Sequence, residues 1–178
     1  RNIGIRVPHS TVDRAARYVV DSAITDRSAR GFHAGRFTLG DDIGSFQYQR
    51  EGGSRSSFPL TAAGVTALHG VGIYSDKAIN GGITYLALNY PRFNRRWGKQ
   101  KNGHYFFWYG HYYAVQAFHM AGGTRFRGYL KRVETTLLSL QFDDGSWPNE
   151  VGPGRAYGTA TACLILQIPM EYLPIFQR

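Results

Sequence analysis

The sequence predicts an all-α chain of six helices arranged as about three helical hairpins. Three observations carry this. Apolar residues recur at i, i+3, i+4 spacing in six separate windows, and only one short fragment, Ser45-Phe46-Gln47-Tyr48, looks like a strand. The helical windows also resemble one another. Thr61-Ala62 to Leu68 matches Thr159-Ala160 to Leu166 at an offset of 98 residues, and Tyr113-Ala114 to Met120 falls between them, 52 after the first and 46 before the second. Finally, Gly44-Ser45-Phe46 stands ahead of the first of these windows as Gly145-Ser146-Trp147 stands ahead of the last. A period of about 49 residues fits one helical hairpin per repeat, and such units bury their apolar faces only by stacking on neighbours.

The elements follow in order. Val12, Ala16, Val19 and Ala23 mark a first helix, with Ser10 or Thr11 as its N-cap, Asp13 in its first turn and an end near Asp26. Arg27 to Ser57 is rich in Gly, Ser, Arg and Asp and reads as a long ordered loop. Phe58 to Gly72 is the second helix, its apolar face built from small residues that allow close approach, with Gly70 and Gly72 ending it. Ser75 is expected to cap a third helix striped by Ile79, Ile83 and Leu86, and Pro91 to stop it. After a basic loop, His104 to Ala121 is apolar almost all round, which predicts a helix buried on most sides. Gly122-Gly123 ends it. Thr124 should cap a fifth helix with Phe126, Leu130, Val133, Leu137 and Leu140 on one face. A tight turn bearing Trp147 and a Gly- and Pro-containing loop lead to the sixth, Arg155 to Gln167.

Composition narrows the function classes. The chain has 178 residues, 43% hydrophobic and 15% aromatic, which is globular and long enough for one domain with a real core. The lone Cys163 excludes an internal disulfide and any multi-cysteine metal site. No apolar run approaches the roughly 20 residues of a membrane span. The net charge of +9 is unevenly placed. Lys77 to Val133 holds ten Lys or Arg and no Asp or Glu. Such a block can dock on an acidic protein or an anionic surface, and the simpler reading is a solvated face. No nucleic-acid motif accompanies it, which disfavours that partner.

The most distinctive stretch is Leu137 to Trp147, in which Gln141-Phe142-Asp143-Asp144-Gly145-Ser146-Trp147 resembles the QW motif of the prenyltransferase and squalene-cyclase repeat. Tyr157-Gly158-Thr159-Ala160-Thr161-Ala162 resembles the helix that follows it in that family, and Phe58-Pro59-Leu60-Thr61-Ala62-Ala63-Gly64 the same helix in another repeat. The resemblance covers most of the chain from Gly44 onward. It implies a partial α/α toroid, with inner helices around a cavity and outer helices behind. It also implies structural roles for Gln141, Gly145 and Trp147: the Gln tying down helix ends, the Trp packing on the adjacent helix. Since closed rings of this kind use five to seven hairpins, residues 1–178 are expected to form one domain that is the C-terminal part of a longer toroid or a half ring completed by another chain.

The family's chemical signatures are missing from this stretch of chain. Leu39-Gly40-Asp41-Asp42 and Gln141-Phe142-Asp143-Asp144 both lack the first Asp of the cyclase Asp-x-Asp-Asp motif, and Cys163 has no Asp two residues before it to suggest the prenyltransferase zinc site. Phe106, Trp108, Tyr109, Tyr112 and Tyr113 could line a cavity for an isoprenoid; plain core packing is the competing reading. His104, His111 and His119 are spaced two turns apart, too far for one zinc ion, so no metal is expected there. Asp41, Asp42, Asp143, Asp144 and Glu150 could offer acid–base carboxylates, but turn roles explain the Asp pairs. Arg92, Arg95, Arg96, Lys99 and Lys101 around Trp97 form a basic patch able to clamp an anion. The reading that follows is a non-catalytic binding or assembly module, with no cofactor, that docks on a protein partner or a second copy. The alternative is a terpenoid cyclase or prenyltransferase whose acid motif lies outside these residues.

Overall fold

The computed structural model describes residues 6–25, 32–33, 36–37, 42–49, 55–98 and 104–172. Among them the chain is all-α. Six α-helices run in order: α1 (His9–Asp21), α2 (Phe58–Gly70), α3 (Lys77–Gly98), α4 (Tyr105–Ala121), α5 (Gly123–Leu140) and α6 (Arg155–Gln167), the last continuing into a 3-10 turn, Ile168–Met170. One two-residue hairpin pairs Phe32–His33 with Arg36–Phe37. Among the described residues no helix is long and apolar enough to cross a membrane.

The helices form two layers. α4 touches α2 on one side and α6 on the other, while α3 packs on both α2 and α4, and α5 on α4 and α3. α2, α4 and α6 are therefore one layer and α3 and α5 the layer behind, with α1 against α2. α4 is buried on most sides, as its composition predicts, with Phe107, Trp108, His111, Ala114, Val115, Ala117 and Phe118 all at the centre of the core. Close approach rests on glycine. A Cβ at Gly110 would lie 2.5 Å from the Phe93 ring, and one at Gly82 2.5 Å from Val65.

Several expected boundaries move. α1 starts at His9 behind Pro8 without a side-chain cap, so neither Ser10 nor Thr11 is the N-cap, and it stops at Asp21 rather than near Asp26, which lies outside the described residues. The reason is tertiary. Ala23 bridges Phe46, and the backbone of Ser22 and Ile24 is taken up by Gln47, Gly44 and Ser45. α2 ends at Gly70, with Ser57 accepting the Leu60 N–H at its start. The cap of α3 is Asp76, whose carboxylate accepts the Ala78 N–H at 2.7 Å, not Ser75. Gly122 and not Thr124 stands at the N-cap of α5.

The largest correction is Pro91. It sits inside α3, which continues to Gly98. Proline in a helix interior costs about 3 kcal/mol. Here buried neighbours offset that cost. Tyr90 and Phe93 are both buried, Phe93 stacks on Phe58 at 4.3 Å, and the Tyr90 hydroxyl meets Thr136 of α5 at 3.2 Å. Each buried aromatic contributes about 2 kcal/mol, so the helix persists through the proline.

Candidate functional site

The Trp147 turn is a closed hydrogen-bonded unit. The Gly145 N–H donates to the Phe142 carbonyl at 2.9 Å and the Phe142 N–H to the Ser146 carbonyl at 2.8 Å. Gly145 has φ 80°, a backbone region that favours glycine. Gln141 ends α5 and donates from Nε2 to the Gly145 carbonyl at 3.0 Å. Trp147 is buried. Its indole N–H donates to the Leu137 carbonyl at 2.8 Å, one of the acceptors that the C-terminus of α5 leaves without an intrahelical donor. Its backbone N–H donates to Thr159 Oγ1 of α6 at 3.1 Å. Gln141 thus closes the turn, and Trp147 fastens the helix before it to the helix after it.

The Phe46 turn repeats this geometry. The Gly44 N–H donates to Ile24 O at 2.7 Å, the Ile24 N–H to Ser45 O at 2.9 Å, and the Phe46 N–H to Thr61 Oγ1 of α2 at 3.1 Å. Gly44 has φ 90°. Ile24, Gly44, Ser45, Phe46 and Thr61 therefore occupy the places of Phe142, Gly145, Ser146, Trp147 and Thr159. The sequence match between the two hairpins is a match in structure. Residues 25–43 replace the two-residue connection Asp143-Asp144.

Asp144 serves its turn through its carboxylate and Asp42 through its backbone carbonyl. Asp144 accepts from the Ser146 N–H at 3.0 Å and hydroxyl at 2.6 Å, and pairs with Arg155 at 2.9 Å. The Ser146 bonds, then Arg155, hold its carboxyl below the usual carboxylate range. Arg155 also bonds the Ser146 hydroxyl and lies 4.6 Å above the Phe142 ring. Asp42 is buried, and its carbonyl accepts from Ser45 N–H and Oγ. Glu150 is exposed, and Asp41 lies outside the described residues.

The aromatic residues of α4 divide. Trp108 is fully buried and donates its indole N–H to Pro148 O at 3.0 Å, so it is a core anchor. Phe106 is 40% exposed. Tyr109, Tyr112 and Tyr113 are half-buried, with Tyr109 and Tyr113 in edge contact at 4.8 Å. On the helix, Tyr109 and Tyr113 lie opposite Phe107, His111 and Phe118, which face α3 and α5. Tyr157 of α6 joins them; burial raises the hydroxyl pKa of Tyr109, Tyr112 and Tyr157, and the neighbouring Tyr157 adds to the rise at Tyr109 and Tyr113 to the rise at Tyr157. The sequence reading missed Tyr157.

The three histidines do separate jobs. His104 caps α4, accepting the Phe106 N–H at 3.1 Å. His119 is buried and lies 3.3 Å from the exposed carboxylate of Glu171. His111 is fully buried among Phe58, Tyr90, Phe93 and Phe107. Its Nδ1 is 2.7 Å from the Tyr129 hydroxyl and its Nε2 has no hydrogen-bond partner. Burial pushes its pKa down to about 3, so it is neutral in the fold.

The basic patch is not a loop where it is described. Arg92 and Arg95 are exposed on the last turns of α3, which also includes Arg96 and Trp97; Lys99 and Lys101 lie outside the described residues. Arg125, Arg127, Lys131 and Arg132 are exposed on α5. The described part of the basic block therefore falls on the α3/α5 layer, behind the layer that carries the tyrosines. No family model, curated protein or solved structure matches the chain.

Proposed function

We propose that this chain is a non-catalytic binding and assembly module, built from three hairpins of the prenyltransferase and squalene-cyclase kind and forming part of an α/α toroid, with α2, α4 and α6 as its inner layer. The observation that carries the reading is the outer surface of that layer. Ala67 and Gly70 of α2, and Ala160 and Cys163 of α6, are exposed on either side of the half-buried Tyr109 and Tyr113. Small residues flanking rigid aromatic ones make a surface that a further helix can approach closely. The module docks on a partner subunit, or on a second copy, through this face. The basic α3/α5 layer stays free to meet an anionic surface. Gln141, Asp144 and Trp147 are committed to holding the Trp147 turn, which supports structural roles for them.

Native mass spectrometry tests the reading. The 20.0 kDa chain is expected to form a dimer or higher species at micromolar concentration. Ala67→Arg and Ala160→Arg, both at exposed positions, are expected to dissociate it without loss of helical circular dichroism. Complexes that both variants leave intact would place the docking surface elsewhere.

A second reading keeps the same face for an isoprenoid. The half-buried rings of Tyr109, Tyr113 and Tyr157 are suited to flank a carbocation, as in a terpenoid cyclase or prenyltransferase whose acid is supplied from outside these residues. Saturable quenching of tyrosine fluorescence by farnesyl diphosphate, lost in Tyr113→Ala, is expected under that reading alone.

A further inference from the structure

α2 and α6 correspond at an offset of 98 residues, and Thr61 and Thr159 hold their turns in the same way, so their edges can be compared. Phe58, Ala62, Val65 and His69 of α2 are buried. The hairpin that follows covers this edge. Phe58 stacks on Phe93 of α3, and a Cβ at Gly82 of α3 would lie 2.5 Å from Val65. The counterparts on α6 are Ala156, Ala160, Cys163 and Gln167. The first three are exposed and the last is half-buried. The other edge reverses the pattern. Thr161, Ile165 and Ile168 are buried where α6 and its 3-10 turn meet α4. Their counterparts on α2 are Ala63, half-buried, and Ala67 and Gly70, both exposed. α4, between the two, is buried on both edges, at Gly110 beside Pro59 of α2 and at Trp108 beside Gly158 of α6.

The layer behind is unbalanced in the same sense. α3 packs on two inner helices, α2 before it and α4 after it. α1 packs on α2 and buries no residue; Val12, Ala16, Val19 and Val20 along one face are only half-buried. An inner helix set against the open edge of α2, as α2 is set against α4, would cover Ala67 and this face of α1 together. α6 is the helix whose matching edge is open. Repeats that stop at solvent carry a polar outer face, whereas Ala156, Ala160 and Cys163 are uncharged and small.

We infer, resting on the docking reading above, that the occupant is a second copy and that the two edges pair with each other. α6 of one chain lies against α2 and α1 of the next, with Ala156, Ala160 and Cys163 facing Ala63, Ala67 and Gly70. The layer of α2, α4 and α6 then runs on from copy to copy with the packing it already has inside one chain. Such a contact is heterologous: each chain gives one edge and receives on the other, and the assembly is a ring where the rotation closes and an open chain where it does not. A face-to-face pair would instead use both edges of both copies at once.

Mixing the two edge variants tests this. Ala67→Arg alters only the α2 edge and Ala160→Arg only the α6 edge. Each alone is expected to be monomeric in native mass spectrometry with its helical circular dichroism unchanged. An equimolar mixture, one chain isotope-labelled, is expected to regain a complex of one chain of each kind and to stop at two chains, because one intact pair of edges remains. In that complex Cys163 should be protected from alkylation on the Ala67→Arg chain, whose α6 edge is covered, and not on the Ala160→Arg chain. A mixture that stays monomeric while the wild-type chain assembles, or a wild-type chain that is itself monomeric, would overturn head-to-tail pairing and leave the face to a symmetric contact or to a different partner. Wild-type assemblies that each variant leaves intact would overturn this pairing and the docking face together.

Discussion

The Phe46 turn and the Trp147 turn are the same backbone hydrogen-bonded device used twice, and they differ in what the aromatic side chain holds. Both close a glycine turn two or three residues after a helix, on Ile24 and on Phe142, and both bind the aromatic residue's N–H to a threonine of the next helix. Trp147 has an indole N–H and spends it on the C-terminus of α5. Phe46 has none to offer. The helices before them differ as well. α5 buries Tyr129, Val133 and Leu137, whereas α1 buries no residue along its length. Each turn is tied to the helix after it, and only the tryptophan turn is also tied by its side chain to the helix before it.

This contrast is open to being broken. Trp147→Ala is expected to have the largest effect, a loss of about 3–5 kcal/mol in urea unfolding, typical of deleting a buried aromatic. Trp147→Phe converts the second turn to the chemistry of the first and should cost less, about 1–3 kcal/mol, from the unpaired Leu137 carbonyl. Hydrogen exchange in that variant should rise at the last turn of α5 toward the rate seen in α1. Unchanged protection there would remove the indole bond from the account.

His111 sharpens the comparison next, because it sits where both hairpins lean, touching Phe58 of α2 and Tyr129 of α5. Its folded pKa of about 3 lies below the ordinary 6.5. The unfolded chain therefore binds a proton that the fold refuses, and stability must fall as pH drops from about 6.5 toward 3, by up to about 1.4 kcal/mol per pH unit. Burial lowers the pKa of His69 in the same direction. The measurable quantity is the difference from His111→Phe, whose unfolding free energy should depend less steeply on pH in that window.

Smaller effects come from the shared threonines. Thr61→Val and Thr159→Val each leave a turn N–H unpaired and should cost about 1–3 kcal/mol. Thr61 is expected to cost more, since its hydroxyl also donates to the Ser57 carbonyl at 2.8 Å. Asp144→Asn should move the unfolding midpoint least, because an ion pair in solvent contributes little.

Much of this architecture was legible in the sequence. Six helices, the buried character of α4 and the correspondence of Thr61 with Thr159 all follow from apolar spacing and internal repetition, which depend on local order along the chain. What was not legible depends on partners far away in sequence. Pro91 reads as a stop until Phe58 and Thr136 are brought against its neighbours. The caps at Ser10, Ser75 and Thr124 were plausible residues one or two places from the true boundary, where the adjacent Pro8, Asp76 and Gly122 stand instead. The basic run from Arg92 looked like a loop because the proline hid the helix beneath it. At the candidate site, the half-buried tyrosines of α4 were named from composition, but Trp108 among them proved a core anchor. The pairing of Tyr157 with the α4 tyrosines required the packing of α6 on α4 to be seen, and the separation of the basic layer from the tyrosine layer that of α3 and α5 on α4.

The central claim is that the α2, α4 and α6 face is a docking surface. The most direct test is the native mass of the purified chain beside its Ala160→Arg variant. The account predicts an assembly at a multiple of 20.0 kDa that the variant reduces to the single chain with its fold intact. A wild-type chain that is monomeric at every concentration tested, with the variant indistinguishable from it, would contradict docking on a second copy.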